Sequence, residues 1–109
     1  MLFLQKLKKR FMKAQVIDVL NTIYDPEIPV NIWELGFIYK LEVNSNNDVY
    51  ILMTLTAPNC PVAESLPMEV QTRVSMIPGV NKCVVDVTFD PPWTMDRMTE
   101  AAKMELGLL

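Results

Sequence analysis

The sequence predicts an α+β domain: a small three-stranded, or four-stranded, mixed sheet with helices packed on one face. Two observations lead there. Stretches with apolar residues at helical spacing are interleaved with stretches of strand character, in the order helix, hairpin, helix, strand, helix. Proline- or asparagine-rich turns separate them, and no internal repeat or linker interrupts the 109 residues, the size of one domain with a single core.

Met12, Val16, Val19, Leu20 and Ile23 mark one face of the first helix, which must stop before Asp25-Pro26. Pro26 and Pro29 enforce an extended loop, and Asn31 to Gly36 suits a short helical turn closed by glycine. Phe37, Tyr39, Leu41 and Val43 alternate with Ile38, Lys40 and Glu42 as a half-buried strand. Asn44-Ser45-Asn46-Asn47-Asp48 is a turn, and Val49 to Ala57 forms the second limb of the hairpin. That limb is apolar on both faces, which places it in the sheet interior. Pro61 to Ile77 reads as the second helix, striped by Val62, Leu66, Val70, Val74 and Ile77. Pro67 marks a kink or a late start with Ser65 as cap. After Pro78-Gly79, Val80 to Phe89 forms a third strand with Cys83, Val85, Val87 and Phe89 inward. Asp90-Pro91-Pro92-Trp93 breaks it, and Thr94 is expected to cap a last helix bearing Met95, Met98, Ala102 and Leu106.

Composition narrows the chemistry. The chain has no histidine, which removes Cys-His and Ser-His catalytic pairs. Two cysteines without a C-x-x-C argue against a disulfide framework or a complete zinc site and suit a reducing cytoplasm. Charge is uneven: Lys6, Lys8, Lys9, Arg10 and Lys13 fall in the first thirteen residues, where there is no acid. Residues 14–109 hold five basic and thirteen acidic residues, a net of −8, which argues against nucleic-acid binding. Residues 1–13 thus form a basic amphipathic arm, with Phe3, Leu4, Leu7 and Phe11 at helical spacing, ahead of a single domain over 14–109. The arm reads first as a solvated extension of the first helix rather than as a membrane- or partner-binding segment.

The chemistry-bearing frame is Thr54-Leu55-Thr56-Ala57-Pro58-Asn59-Cys60-Pro61, a strand end running into a proline turn. Pro61 suits the first helical position, which places Cys60 near a helix N-terminus, where the dipole favours a thiolate. Glu64 opposes that effect, so modest activation is expected. A buried structural cysteine is the bland alternative, and the loop setting favours function. Cys83, on an inward strand face, reads as core. Asp25 and Glu27 flank a proline; such carboxylates can serve acid–base chemistry, hold a cation or simply cap a turn. Trp33 and Trp93 read as anchors, and the eight methionines as packing.

Asp25-Pro26-Glu27-Ile28-Pro29, then Leu35-Gly36-Phe37-Ile38-Tyr39, then Thr54 to Pro61, in this order and spacing, resemble the SufT/PaaD-type iron–sulfur cluster assembly domain. Phe89-Asp90-Pro91-Pro92-Trp93 and the terminal Glu-Leu-Gly are similar to its SufT-like branch. The resemblance covers residues 14–109 and not the basic arm. It implies an α+β fold and a non-enzymatic accessory role in maturing iron–sulfur proteins, with Cys60 as the reactive cysteine and Asp25 and Glu27 as the acidic loop. The implied partners are the assembly machinery and client apoproteins. PaaD-type members carry a further cysteine-rich C-terminal segment, which these residues lack. A cluster usually takes four thiolates. One held through Cys60 is therefore shared between chains, as in a homodimer, completed by other thiols, or transient. A metal-free interaction adaptor and a cysteine-dependent thiol enzyme are the alternative readings.

Overall fold

In the computed structural model, which describes residues 2–56 and 65–108, the strand expected inside the sheet lies at its centre. The elements run α1 (Leu2–Leu20), β1 (Ile38–Val43), β2 (Asp48–Met53), α2 (Ser65–Ser75), β3 (Lys82–Val87), a 3-10 turn (Met95–Arg97) and α3 (Glu100–Glu105). β1 pairs antiparallel with β2, and β2 pairs parallel with β3, giving a mixed sheet in the order β1-β2-β3. The antiparallel pair needs only a short turn, in which the Asn44 side chain accepts from the Asn46 and Asp48 amides and Asn47 adopts a positive φ of 62°. The parallel pair needs a crossover, and α2 lies on it.

β2 is apolar on both faces because it is hydrogen-bonded on both edges. Val49, Ile51 and Met53 are fully buried, while Tyr50 and Leu52 on the other face are half-buried. α1 packs on β1 and α2 on β3, and the two helices touch. Met12, Val16 and Leu20 of α1 and Leu66, Val70 and Val74 of α2 close the core over that face. Each such aliphatic side chain contributes about 1.5–3 kcal/mol relative to exposure. The opposite face carries exposed Lys40, Glu42, Val84 and Asp86, with the Tyr50 hydroxyl donating to the Asp86 carboxylate at 3.0 Å.

α1 runs without a break from Leu2 through the basic arm into the domain, as a helix extension would. Other local expectations change. Within the described residues α2 is Ser65–Ser75, with Pro67 inside it, and the expected start at Pro61 lies outside the described residues. β3 loses burial along its length: Cys83 is 4% exposed, Val85 is partly buried and Val87 is 37% exposed, because β3 is an edge strand. The terminal helix is not continuous, and Thr94 caps nothing with its side chain. Met98 is extended (φ −67°, ψ 146°), and Thr99 is the true cap of α3, accepting from the Ala102 amide at 3.1 Å.

Candidate functional site

The acidic loop is pinched at its base. Tyr24 and Asn31 form an isolated antiparallel bridge, and the Ile32 amide donates to the Ile23 carbonyl at 2.8 Å. Inside that closure Asp25 is 5% exposed, and its Oδ2 accepts from the Glu27 and Ile28 amides, both at 2.9 Å. An aspartate followed by proline makes this turn readily, because Pro26 pre-sets φ and the carboxylate receives the two free amides. Glu27 projects from the loop, exposed. Asp25 and Glu27 therefore divide the work: the first holds the turn, and the second is presented to solvent.

Hydrogen bonds carry this loop to the end of β2. The Phe37 amide donates to the Ile32 carbonyl at 3.2 Å, and the Thr54 amide donates to the Phe37 carbonyl at 2.8 Å. Thr54 is fully buried, its hydroxyl donating to the Leu55 carbonyl at 3.3 Å, while Thr56 is exposed. β3 ends here too, with the Thr88 amide donating to the Met53 carbonyl at 2.9 Å. The acidic loop and the carboxyl ends of the two parallel strands thus share one end of the sheet, the end where α/β-type crossovers place ligands. No side-chain hydrogen bond joins Asp25 or Glu27 to Thr54 or Thr56 among the described residues. Cys60 and Pro61, the centre of the expected site, lie outside the described residues.

Cys83 lies at the opposite end of β3 from the site end of the sheet. It pairs with Val49 at the start of β2, about 13 Å along the strand from Met53 at the usual rise per residue. Burial pushes its thiol up to about 11 and keeps it neutral. No cluster of three or more cysteine or acidic side chains able to hold a metal ion occurs among the described residues. Among the described residues, the Asp25 carboxylate accepts two amides of its own turn and Cys83 is buried in the core.

The C-terminal segment borders the same end, a juxtaposition the sequence pattern did not reveal. Trp93 Nε1–H donates to the Leu35 carbonyl at 2.7 Å, and its ring stands edge-on to Phe37 at 5.6 Å and 87°. The Tyr39 hydroxyl donates to the Pro91 carbonyl at 2.8 Å, and the Arg97 guanidinium lies 4.4 Å above the Tyr39 ring. Gly36, at φ +78°, lets the Arg97 backbone approach so closely that a Cβ would meet its carbonyl oxygen at 2.2 Å. An apolar groove results between Ile28 of the acidic loop and Trp93, Met95, Met98, Leu106 and Leu108. Trp93 was readable as an anchor; Arg97 and the groove depend on contacts that no local spacing encodes.

Known proteins share much of this sequence and this fold. The chain is 46% identical to a protein of Porphyromonas gingivalis named Fe-S protein maturation auxiliary factor, over 94% of this chain and all of that one. It is 35% identical to the Fe-S protein maturation auxiliary factor SufT of Staphylococcus aureus, over 79% of this chain and 98% of that protein. The crystal structure of a domain of unknown function, DUF59, from Bacillus anthracis superposes with a TM-score of 0.87 at 32% identity, covering 95% of this chain and 99% of that one. Residues 13–87, which span the acidic loop, the hairpin, α2 and β3, match the family described as iron–sulfur cluster assembly protein, and the chain belongs to that family.

Proposed function

We infer that the chain is an accessory factor in the maturation of iron–sulfur proteins. The observation that carries this is the 46% identity to a named maturation auxiliary factor across that protein's entire length. The finer reading is that Cys60 acts as a labile ligand or reactive thiol in cluster transfer or client targeting, beside the Asp25–Pro29 loop. The cluster is then cargo rather than a resident group. One Cys60 per chain cannot supply four thiolates, so the remaining ligands come from a second copy, an assembly protein or a client apoprotein. The role is non-enzymatic and cytoplasmic, and the absence of histidine supports it over a thiol enzyme by removing the usual base for a cysteine nucleophile. A metal-free adaptor is the second reading, favoured by the apolar groove beside Ile28.

Anaerobic reconstitution with iron and sulfide separates these readings. The expected result is visible charge-transfer absorption that disappears in Cys60→Ala and persists in Cys83→Ala. Absorption unaffected by Cys60→Ala removes the assigned role, and its complete absence leaves the adaptor. If loop and thiol form one site, Asp25→Ala also lowers the apparent pKa of Cys60 alkylation, because a nearby carboxylate disfavours the thiolate. An unchanged alkylation profile separates the two motifs.

A further inference from the structure

The N-terminal half of α1 carries an apolar stripe that the rest of the described chain leaves open. Phe3, Leu4, Leu7 and Phe11 are 72%, 53%, 44% and 68% exposed. The residues with which α1 packs on the core are Met12, Val16 and Leu20, at 6%, 0% and 0%. At roughly 100° per residue, the Phe3–Leu7–Phe11 stripe is centred about 180° around the helix from the Met12–Val16–Leu20 stripe. α1 is therefore amphipathic twice, inward in its C-terminal half and outward in its N-terminal half. Ala14 continues the outer stripe, and Asp18, the first acid in the chain, ends it.

Cations bracket this stripe. The same helical spacing puts Arg10 and Lys6 along one edge and Lys8 along the other. With Lys9 and Lys13 they give the first thirteen residues a charge of +5, against −8 for the remainder. A convex apolar face edged on both sides by cations matches a planar surface that is apolar below and anionic at its rim. We propose that this half of α1 binds the surface of an anionic lipid bilayer, with Phe3, Leu4, Leu7 and Phe11 at the acyl boundary and Lys6, Lys8 and Arg10 on lipid phosphates. The contact is peripheral, since no described helix is long and apolar enough to cross a membrane.

The placement of the body permits it. Because the outer stripe opposes the core stripe, the domain rides on the solvent side of the helix. Asn47 of the hairpin turn and Pro78 border an open groove beside Leu7 and Phe11, which hydrocarbon can fill as the helix settles. The acidic body is screened from the membrane over a Debye length of about 8 Å. α1 leads at its other end into the acidic loop, so the candidate site stays at the far end of the helix from the bilayer contact, open to partners. The sequence alone favoured a solvated helix extension; the outward direction of the stripe is what changes that reading.

Co-sedimentation of the full chain with vesicles tests this, using phosphatidylcholine alone and phosphatidylcholine with about a quarter phosphatidylglycerol, a content that supplies the anionic surface. The expected result is binding to the anionic vesicles that weakens with salt, with little on neutral ones. The double substitution Phe3→Ser and Phe11→Ser should abolish it. Lys8→Gln and Arg10→Gln should each weaken it about fivefold, the equivalent of about 1 kcal/mol per cation near the surface. All four positions are exposed or outward, so circular dichroism should show each variant folded as the parent. Three results overturn the proposal: no binding to the anionic vesicles, equal binding to neutral ones, or a lipid-free dimer that Phe3→Ser and Phe11→Ser dissociate. The last would mean that the stripe pairs with a second copy of the chain.

Discussion

Asp25 and Cys83 are two reactive-looking side chains whose surroundings tie them into the fold. The Asp25 carboxylate accepts two amides of its own loop while nearly excluded from solvent. Asp25→Ala strands both donors and should cost about 1–3 kcal/mol in denaturant titration, whereas Asp25→Asn, which keeps an acceptor oxygen, should cost less. Glu27→Ala, at an exposed position without such bonds, should stay within about 0.5 kcal/mol. Cys83 has its thiol raised from 9.0 to about 11 by burial. The unfolded chain therefore releases this proton first. The contribution to stability is fully present below pH 9 and is lost as pH rises towards about 11. Unfolding followed across that window should show a decline that Cys83→Ala flattens. A profile identical in the two proteins would mean that the thiol is not shielded.

Among the elements, the segment from Trp93 to α3 is held chiefly at one place. It is fastened by the Trp93 indole to the Leu35 carbonyl, by the Thr99 amide to the Glu34 carbonyl at 2.9 Å, and by the Gly36 approach to Arg97. All three anchor it to the turn that follows the acidic loop. Gly36→Ala combines a positive φ with a steric overlap against backbone and should detach the segment, with a loss of about 2 kcal/mol or more. Faster amide exchange over residues 93–108, with the exchange of β2 little changed, is the expected signature. Uniform destabilisation of the whole chain would instead make Gly36 part of the main core. Trp93→Phe keeps the edge-on contact with Phe37 but loses the indole hydrogen bond, and should cost about 1 kcal/mol.

For the molecule as a whole, stability is concentrated where α1, packed on β1, and α2, packed on β3, close over the buried face of the sheet. Ile51 is fully buried at the centre of that face, so Ile51→Ala should cost about 2–5 kcal/mol. Val87, on the edge strand and 37% exposed, should cost far less on truncation. Denaturant titrations showing the reverse order would place the core elsewhere.

The pattern of residues by itself determined the element order, the central place of β2, the burial of Cys83 and the turn at Asp25-Pro26. These are short-range or one-strand properties: periodicity, proline geometry, and an apolar composition on both faces that only a strand paired on both edges can satisfy. The tertiary structure alone decided that Thr99 and not Thr94 caps α3, that burial fades toward Val87, and that the groove of Ile28, Trp93 and Met98 adjoins the acidic loop. It also decided that the apolar stripe of the N-terminal arm points away from the core. A cap depends on which amides remain unpaired after docking, and the depth of burial on what happens to cover a strand end. The direction of a helix face depends on where the sheet lies. Each is set by residues far apart in the chain, which no local spacing can encode.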